Sequence, residues 1–175
     1  MLQGELDGLC GLYGAVNALR LALAGNHPIS RSACRELFAE GVEYLHRKRG
    51  LFPALIEGIG TWRRFVLARH LARHVSTTNC QITVERPGRG ALASIEDVFG
   101  WIEDSLRQRK PVLLELLGGL DHATVVAGAT QNALLLFDSS QPQHRFIRKS
   151  SCGLRSGFHQ IPPNGLLRIA VHRSG

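Results

Sequence analysis

At 175 residues, with no internal repeat or linker-like tract, the chain suits one domain over residues 1–175 that needs no disulfide or metal staple. Hydrophobic residues at 44% and charged residues at 20% give a globular balance, which excludes disordered and fibrous classes. The 21 Lys and Arg against 14 Asp and Glu leave a net charge of +7, but no nucleic-acid motif organises it, so a solvated basic surface with an acidic partner is expected instead of nucleic acid.

The first predicted element is a helix from about Cys10 to Ala24, stopped by Gly25. Leu12, Val16, Leu19 and Leu23 form one stripe; Cys10, Gly14, Asn17 and Leu21 form the other side, with little charge. A helix apolar nearly all round is buried nearly all round, so this is expected to be the central helix. Its end, Ala22-Leu23-Ala24-Gly25, has the outline of a signal-peptide cleavage site. Glu5 and Asp7 stand where positive charge belongs, and Arg20 breaks the apolar run, so export by this route is not expected. No apolar run approaches the roughly 18 residues that span a membrane. Cys10, Cys34, Cys80 and Cys152 are scattered without any C-x-x-C, which suits a reducing, cytoplasmic setting.

Further helices are predicted over Ser32–Arg47 with a serine cap, over Phe52–Ile59, and from a Thr61 cap to Val75 with Phe65, Ala68, Leu71, Ala72 and Val75 on its apolar face. Ser94 and Asp97 form a capping-box pattern for a helix to about Gln108. After that the period shortens. Val112–Leu117, His122–Ala129, Leu134–Ser139 and Leu166–His172 read as strands, with weaker signals at Ile82–Glu85 and Arg145–Arg148. Helices first and an antiparallel sheet second spell α+β.

Residues 121–140, DHATVVAGATQNALLLFDSS, carry two of these strands around Thr130-Gln131-Asn132. A turn centred near Thr130 sets His122 opposite Asp138, pairing an imidazole with a carboxylate. A one-residue slip in register sends Asp138 to the other face, leaving two polar residues at strand ends. Cys10 supplies the third group. A thiol at a helix N-terminus feels the positive end of the macrodipole, and a neighbouring imidazolium favours thiolate further. The first free N–H groups of that helix, with the Gln3 side-chain amide, are suited to an oxyanion. Gly8 and Gly11 would let backbone and substrate come close.

The order of Gln3, Cys10 in LCGLY, then His122 and Asp138 on consecutive strands resembles the papain-like cysteine peptidases. The nearest resemblance is to the compact bacterial branch related to peptidases that trim double-glycine leaders. It implies Cys10 as nucleophile, His122 as general base, Asp138 as the residue that orients it, and Gln3 as the oxyanion donor. Substrate contacts are assigned to Gly8, Gly11, Asp121, Arg63 and Arg64, the substrate being a peptide or protein, and no metal or organic cofactor is called for. The likeness spans about 20 residues at each end; residues 27–109 match nothing in it and are expected to carry specificity. Asp138 is followed by Ser-Ser where the leader peptidases often have proline, and the nearness of Cys10 to Met1 suggests no propeptide. The family also includes deamidases, acyltransferases and isopeptidases, so peptide hydrolysis is one member of a set. The contrasting class is a basic, non-catalytic module that holds an acidic protein or nucleic acid.

Other groups have plainer readings. Cys152 in SSCG follows the hairpin with no helix after it and reads as a loop thiol; Cys34 and Cys80 read as core or surface thiols. His70 and His74 have the spacing of helical metal ligands, but lack the zinc-peptidase glutamate and lie beside Arg63 and Arg73. They read as a basic face. Asn17 is expected to tie the buried helix to a neighbouring loop, and Tyr13 to pack.

Overall fold

The computed structural model describes residues 8–25, 27–119, 121–138 and 145–173. Its helices are α1 (Cys10–Leu23), α2 (Arg31–Arg47), α3 (Leu51–Glu57), α4 (Thr61–Val75) and α5 (Ile95–Arg107). Its strands are β1 (Cys80–Glu85), β2 (Val112–Gly118), β3 (His122–Ala129), β4 (Ala133–Phe137), β5 (Phe146–Arg148), β6 (Cys152–Gly153), β7 (His159–Gln160) and β8 (Leu167–Arg173). The sheet runs β1-β8-β2-β3-β4-β5, antiparallel at each neighbouring pair. A short parallel pair, β6 with β7, joins it through the end of β2. The class is α+β.

Alternation along the strands sorts side chains onto two faces. Leu113, Val125, Leu167 and Ile169 join the core built by α1, α2 and α4. Val112, Leu114, Leu116, Val126 and Leu166 join the opposite core, where Val98 and Ile102 of α5 meet them. The sheet is thus covered on both faces. The reason is visible in β2, VLLELLG, whose successive apolar residues demand burial on both sides.

Helix α1 is buried nearly all round, with Arg20 its exposed exception. It lies close on the sheet because Gly14 has no side chain: a Cβ there would stand 2.6 Å from Leu113 Cδ1. The α5 capping box is closed in both directions, Asp97 N–H donating to Ser94 Oγ at 3.1 Å and Ser94 N–H to Asp97 Oδ2 at 2.9 Å. Other boundaries differ from expectation. Ser30, whose Oγ accepts from Ala33 N–H at 3.1 Å, caps α2. Gly60 precedes α4, so Thr61 is already helical and its hydroxyl is available elsewhere. β4 ends at Phe137, leaving Asp138 just past the strand. None of the described helices is long and apolar enough to cross a membrane.

Candidate active site

Cys10 is the first residue of α1, and Leu9 at the N-cap supplies no side-chain cap. The first N–H groups of a helix have no intrahelical partners, so this end carries partial positive charge. The Cys10 thiol meets two groups from β3, the His122 ring and the Ala123 backbone N–H. Burial pushes the thiol upward. The hydrogen bonds to His122 and Ala123, then the charges of His122 and Arg64, outweigh that and hold it below its ordinary value of 9.0.

His122 opens β3, opposite Leu116 of β2. Its Nε2 lies 3.0 Å from both Asp138 oxygens, leaving Nδ1 as the ring nitrogen to face the thiol. The two side chains are 10% and 4% exposed, so the contact is screened little by water. Burial works to lower the imidazole, but hydrogen bonds to Asp138 and Cys10, and the charges on both, raise it to about 9. Thiol low and imidazole high is the balance of a thiolate–imidazolium pair.

The register that joins His122 to Asp138 is not the direct opposition expected. Thr130 N–H donates to Ala133 O at 2.8 Å, so the turn is centred on Gln131-Asn132. Ala129 then pairs with Leu134 and Gly128 with Leu135; past Ala127 the ladder steps, and Val126 pairs with Leu136 and Val125 with Phe137. Ala127 is a one-residue bulge on β3. Continued by one residue, the register sets Asp138 opposite Thr124, two residues from His122 and of the same parity. Without the bulge Asp138 would fall opposite Val125, on the wrong face. The dyad is a diagonal pair made possible by the bulge.

Behind Cys10 lies a second polar cluster. Arg64, 2% exposed, donates from Nη1 to Glu115 Oε1 at 3.1 Å, with Nη2 3.0 Å from Oε2 but off the hydrogen-bonding line. Thr61 Oγ donates to the same Oε2 at 3.0 Å. Burial pushes the Glu115 carboxyl up, and Arg64 and Thr61 more than offset it, so it stays below the ordinary range. Arg64 is therefore no surface charge able to meet a substrate from solvent, which corrects its expected role. Arg63 is exposed, with its guanidinium near Gly50, and Asp121 is exposed immediately before His122.

The space beside the two glycines is occupied by the protein itself. A Cβ on Gly8 would stand 2.5 Å from Ala54 O, and one on Gly11 3.3 Å from Arg64 Cδ. They admit α3 and Arg64, not substrate, on those sides. Gln3 lies outside the described residues. The other thiols stand apart: Cys34 and Cys80 are buried in the α1 core, and burial raises Cys152, whose Sγ donates to Arg148 O at 3.3 Å. His70 Nε2 lies 2.6 Å from Glu40 Oε1 and its ring stacks on Tyr44. Asn17 is buried, and its Oδ1 has no partner among the described residues, so the expected tie to a loop is not made through that atom. No three His, Cys, Asp or Glu side chains among the described residues converge as a metal site.

Sequence reasoning missed Glu115 and Thr61. Glu115 had a signal, as the lone charge in an otherwise apolar strand, which must find a buried partner. No protein-family model, curated protein or solved structure matches the chain.

Proposed function

We propose that the protein is a thiol-dependent hydrolase of papain-like type, cleaving a peptide or isopeptide bond through Cys10, His122 and Asp138. The observation that carries the reading is the chain of contacts from a helix-terminal thiol, through one edge of a buried imidazole, to a carboxylate on the other edge. Nucleophile, base and orienting group stand in the order that such chemistry requires.

The thiolate of Cys10 attacks the scissile carbonyl carbon, and the carbonyl electron pair moves onto oxygen. That oxyanion is held at the N-terminus of α1 by the Cys10 N–H, with Gln3 as the second donor. His122 gives its proton to the leaving amine as the C–N bond breaks, leaving a thioester on Cys10. His122 then takes a proton from water, whose oxygen attacks the thioester; the C–S bond breaks, the acid departs and the thiolate–imidazolium pair is restored. The permanent contact with Asp138 keeps the imidazole oriented through both proton transfers. Discharge to an amine instead of water would make the same site a transferase, and a side-chain amide as substrate would make it a deamidase.

The test is to incubate a proteome with wild type and with Cys10→Ala, then map new peptide termini and deamidated residues. Wild-type-specific termini are expected, together with labelling of Cys10 by an electrophilic peptide at pH 6, where Cys34, Cys80 and Cys152 stay unmodified. Uniform labelling of all four thiols, or salt-dependent binding of acidic proteins that survives Cys10→Ala with no new termini, would favour the binding module.

A further inference from the structure

The pair formed by Arg64 and Glu115 has no place in the acyl-transfer steps, yet it is built into the base of the site. The Arg64 stem passes over Gly11, the residue after Cys10, where a Cβ would lie 3.3 Å from Cδ and 3.6 Å from Cγ. Glu115 sits opposite Ala123 in the β2–β3 ladder, and Ala123 is the residue whose N–H meets the thiol. Thr61 and Arg64, three residues apart at the start of α4, hold the carboxylate between them. Stability alone is a poor account of this arrangement. A buried ion pair is often no better than apolar residues of the same volume, and here Arg64 Nε is buried with no partner among the described residues.

We propose that Arg64 is a positioning residue for the Cys10 thiol: a permanent positive charge, locked by Glu115 and Thr61 beside the first turn of α1, that keeps the sulfur ionised. The inference rests on Cys10 being the nucleophile. A guanidinium does not deprotonate in proteins, so its field persists at alkaline pH, where His122 loses its proton. Among the described residues, the charged groups that bear on Cys10 are His122 and Arg64, with Asp138 behind the first and Glu115 behind the second. The downward pull of Arg64 on the thiol agrees with this geometry. Glu115 anchors the guanidinium, and its own charge limits how far the field extends.

The experiment is the pH dependence of Cys10 alkylation by iodoacetamide in the full chain, read by mass spectrometry. Arg64→Met with Glu115→Gln removes both charges and leaves no lone buried ion. The midpoint should rise by about half a pH unit or more, a roughly threefold loss of rate on its acid flank. Arg64→Lys should hold the midpoint closer to wild type, since the charge remains. A double variant that is folded by near-ultraviolet circular dichroism and keeps the wild-type midpoint overturns the inference. Should that variant not fold, Glu115→Gln alone decides: an uncompensated Arg64 should lower the midpoint, and an unmoved one overturns the inference equally. The hydrolase reading fails separately. Shifted midpoints with no turnover of any peptide overturn that reading and leave the role of Arg64 standing.

Discussion

The Nε2 of His122 stands 3.0 Å from both carboxylate oxygens of Asp138, so the imidazole is steered by a symmetric contact and not by a single hydrogen bond. Both side chains are nearly closed to solvent, which makes the contact stiff and its charge effective. Orientation and charge are separable contributions of the carboxylate. Asp138→Asn keeps a hydrogen-bonding group and removes the charge; Asp138→Ala removes both. In each variant the His122 ring should titrate well below about 9, falling back toward its ordinary 6.5. Alkylation of Cys10 at neutral pH should slow in both, and peptide turnover should fall about 10²-fold in the alanine variant and less in the asparagine one. Ring titration followed by NMR checks the first point. A ring still titrating near 9 in Asp138→Ala would show that the carboxylate is not what raises it.

The bulge at Ala127 allows a different kind of test, because it can be removed without touching a reacting group. Deleting Ala127, unlike pairing it, makes the ladder between β3 and β4 continuous while leaving Val126 opposite Leu136 and Val125 opposite Phe137, so Asp138 stays on the face of His122. The sheet should survive, since Ala127 is exposed and contributes to neither core. The His122 ring should still titrate at about 9, and turnover should stay close to that of the wild type. A deletion variant with native circular dichroism whose ring titrates well below about 9 would sink the register argument.

That bulge also marks where the sequence stops being readable. The turn chemistry of Thr130-Gln131-Asn132 and the polar ends of the two runs are legible, and they bring His122 and Asp138 into one neighbourhood. The route by which they meet is less legible. Gly128, in a run otherwise suited to a strand, is its local mark, because an isolated glycine there signals a bulge or a close approach. Helix α1 is legible because it is almost uncharged, and α5 because Ser94 and Asp97 cap it reciprocally. Arg64 is the opposite case. Next to Arg63 in a basic helix it looks like solvated charge, and only the return of β2 past α4 shows that Glu115 claims it. Arg64 itself, with its partner 51 positions away, carries no local signature of that partner.

The ion pair predicts an unusual dependence of stability on pH. The folded His122 holds its proton up to about 9, against an ordinary 6.5, so on its own it adds stability that is complete below 6.5 and lost as the pH climbs through about 9. Cys10 acts with the opposite sign. Its folded value lies below the ordinary 9.0, so its contribution is complete above 9.0 and lost as the pH falls through the folded value. Wherever the folded pair is thiolate–imidazolium and the unfolded pair is thiol–imidazole, both states bind the same number of protons. The two slopes then cancel, and over that range, whose upper end lies at about 9, the wild type should show no contribution to pH dependence from this pair. Cys10→Ala leaves His122 raised by Asp138 with nothing to cancel it. Its stability should fall above pH 6.5, with a limiting slope of about 1.4 kcal/mol per pH unit until the ring deprotonates in the fold. Urea denaturation of wild type and Cys10→Ala at half-unit steps from pH 6 to pH 9.5 makes the comparison. Parallel curves would mean that thiol and imidazole do not exchange a proton in the folded protein, and the proposed nucleophile would lose its resting charge.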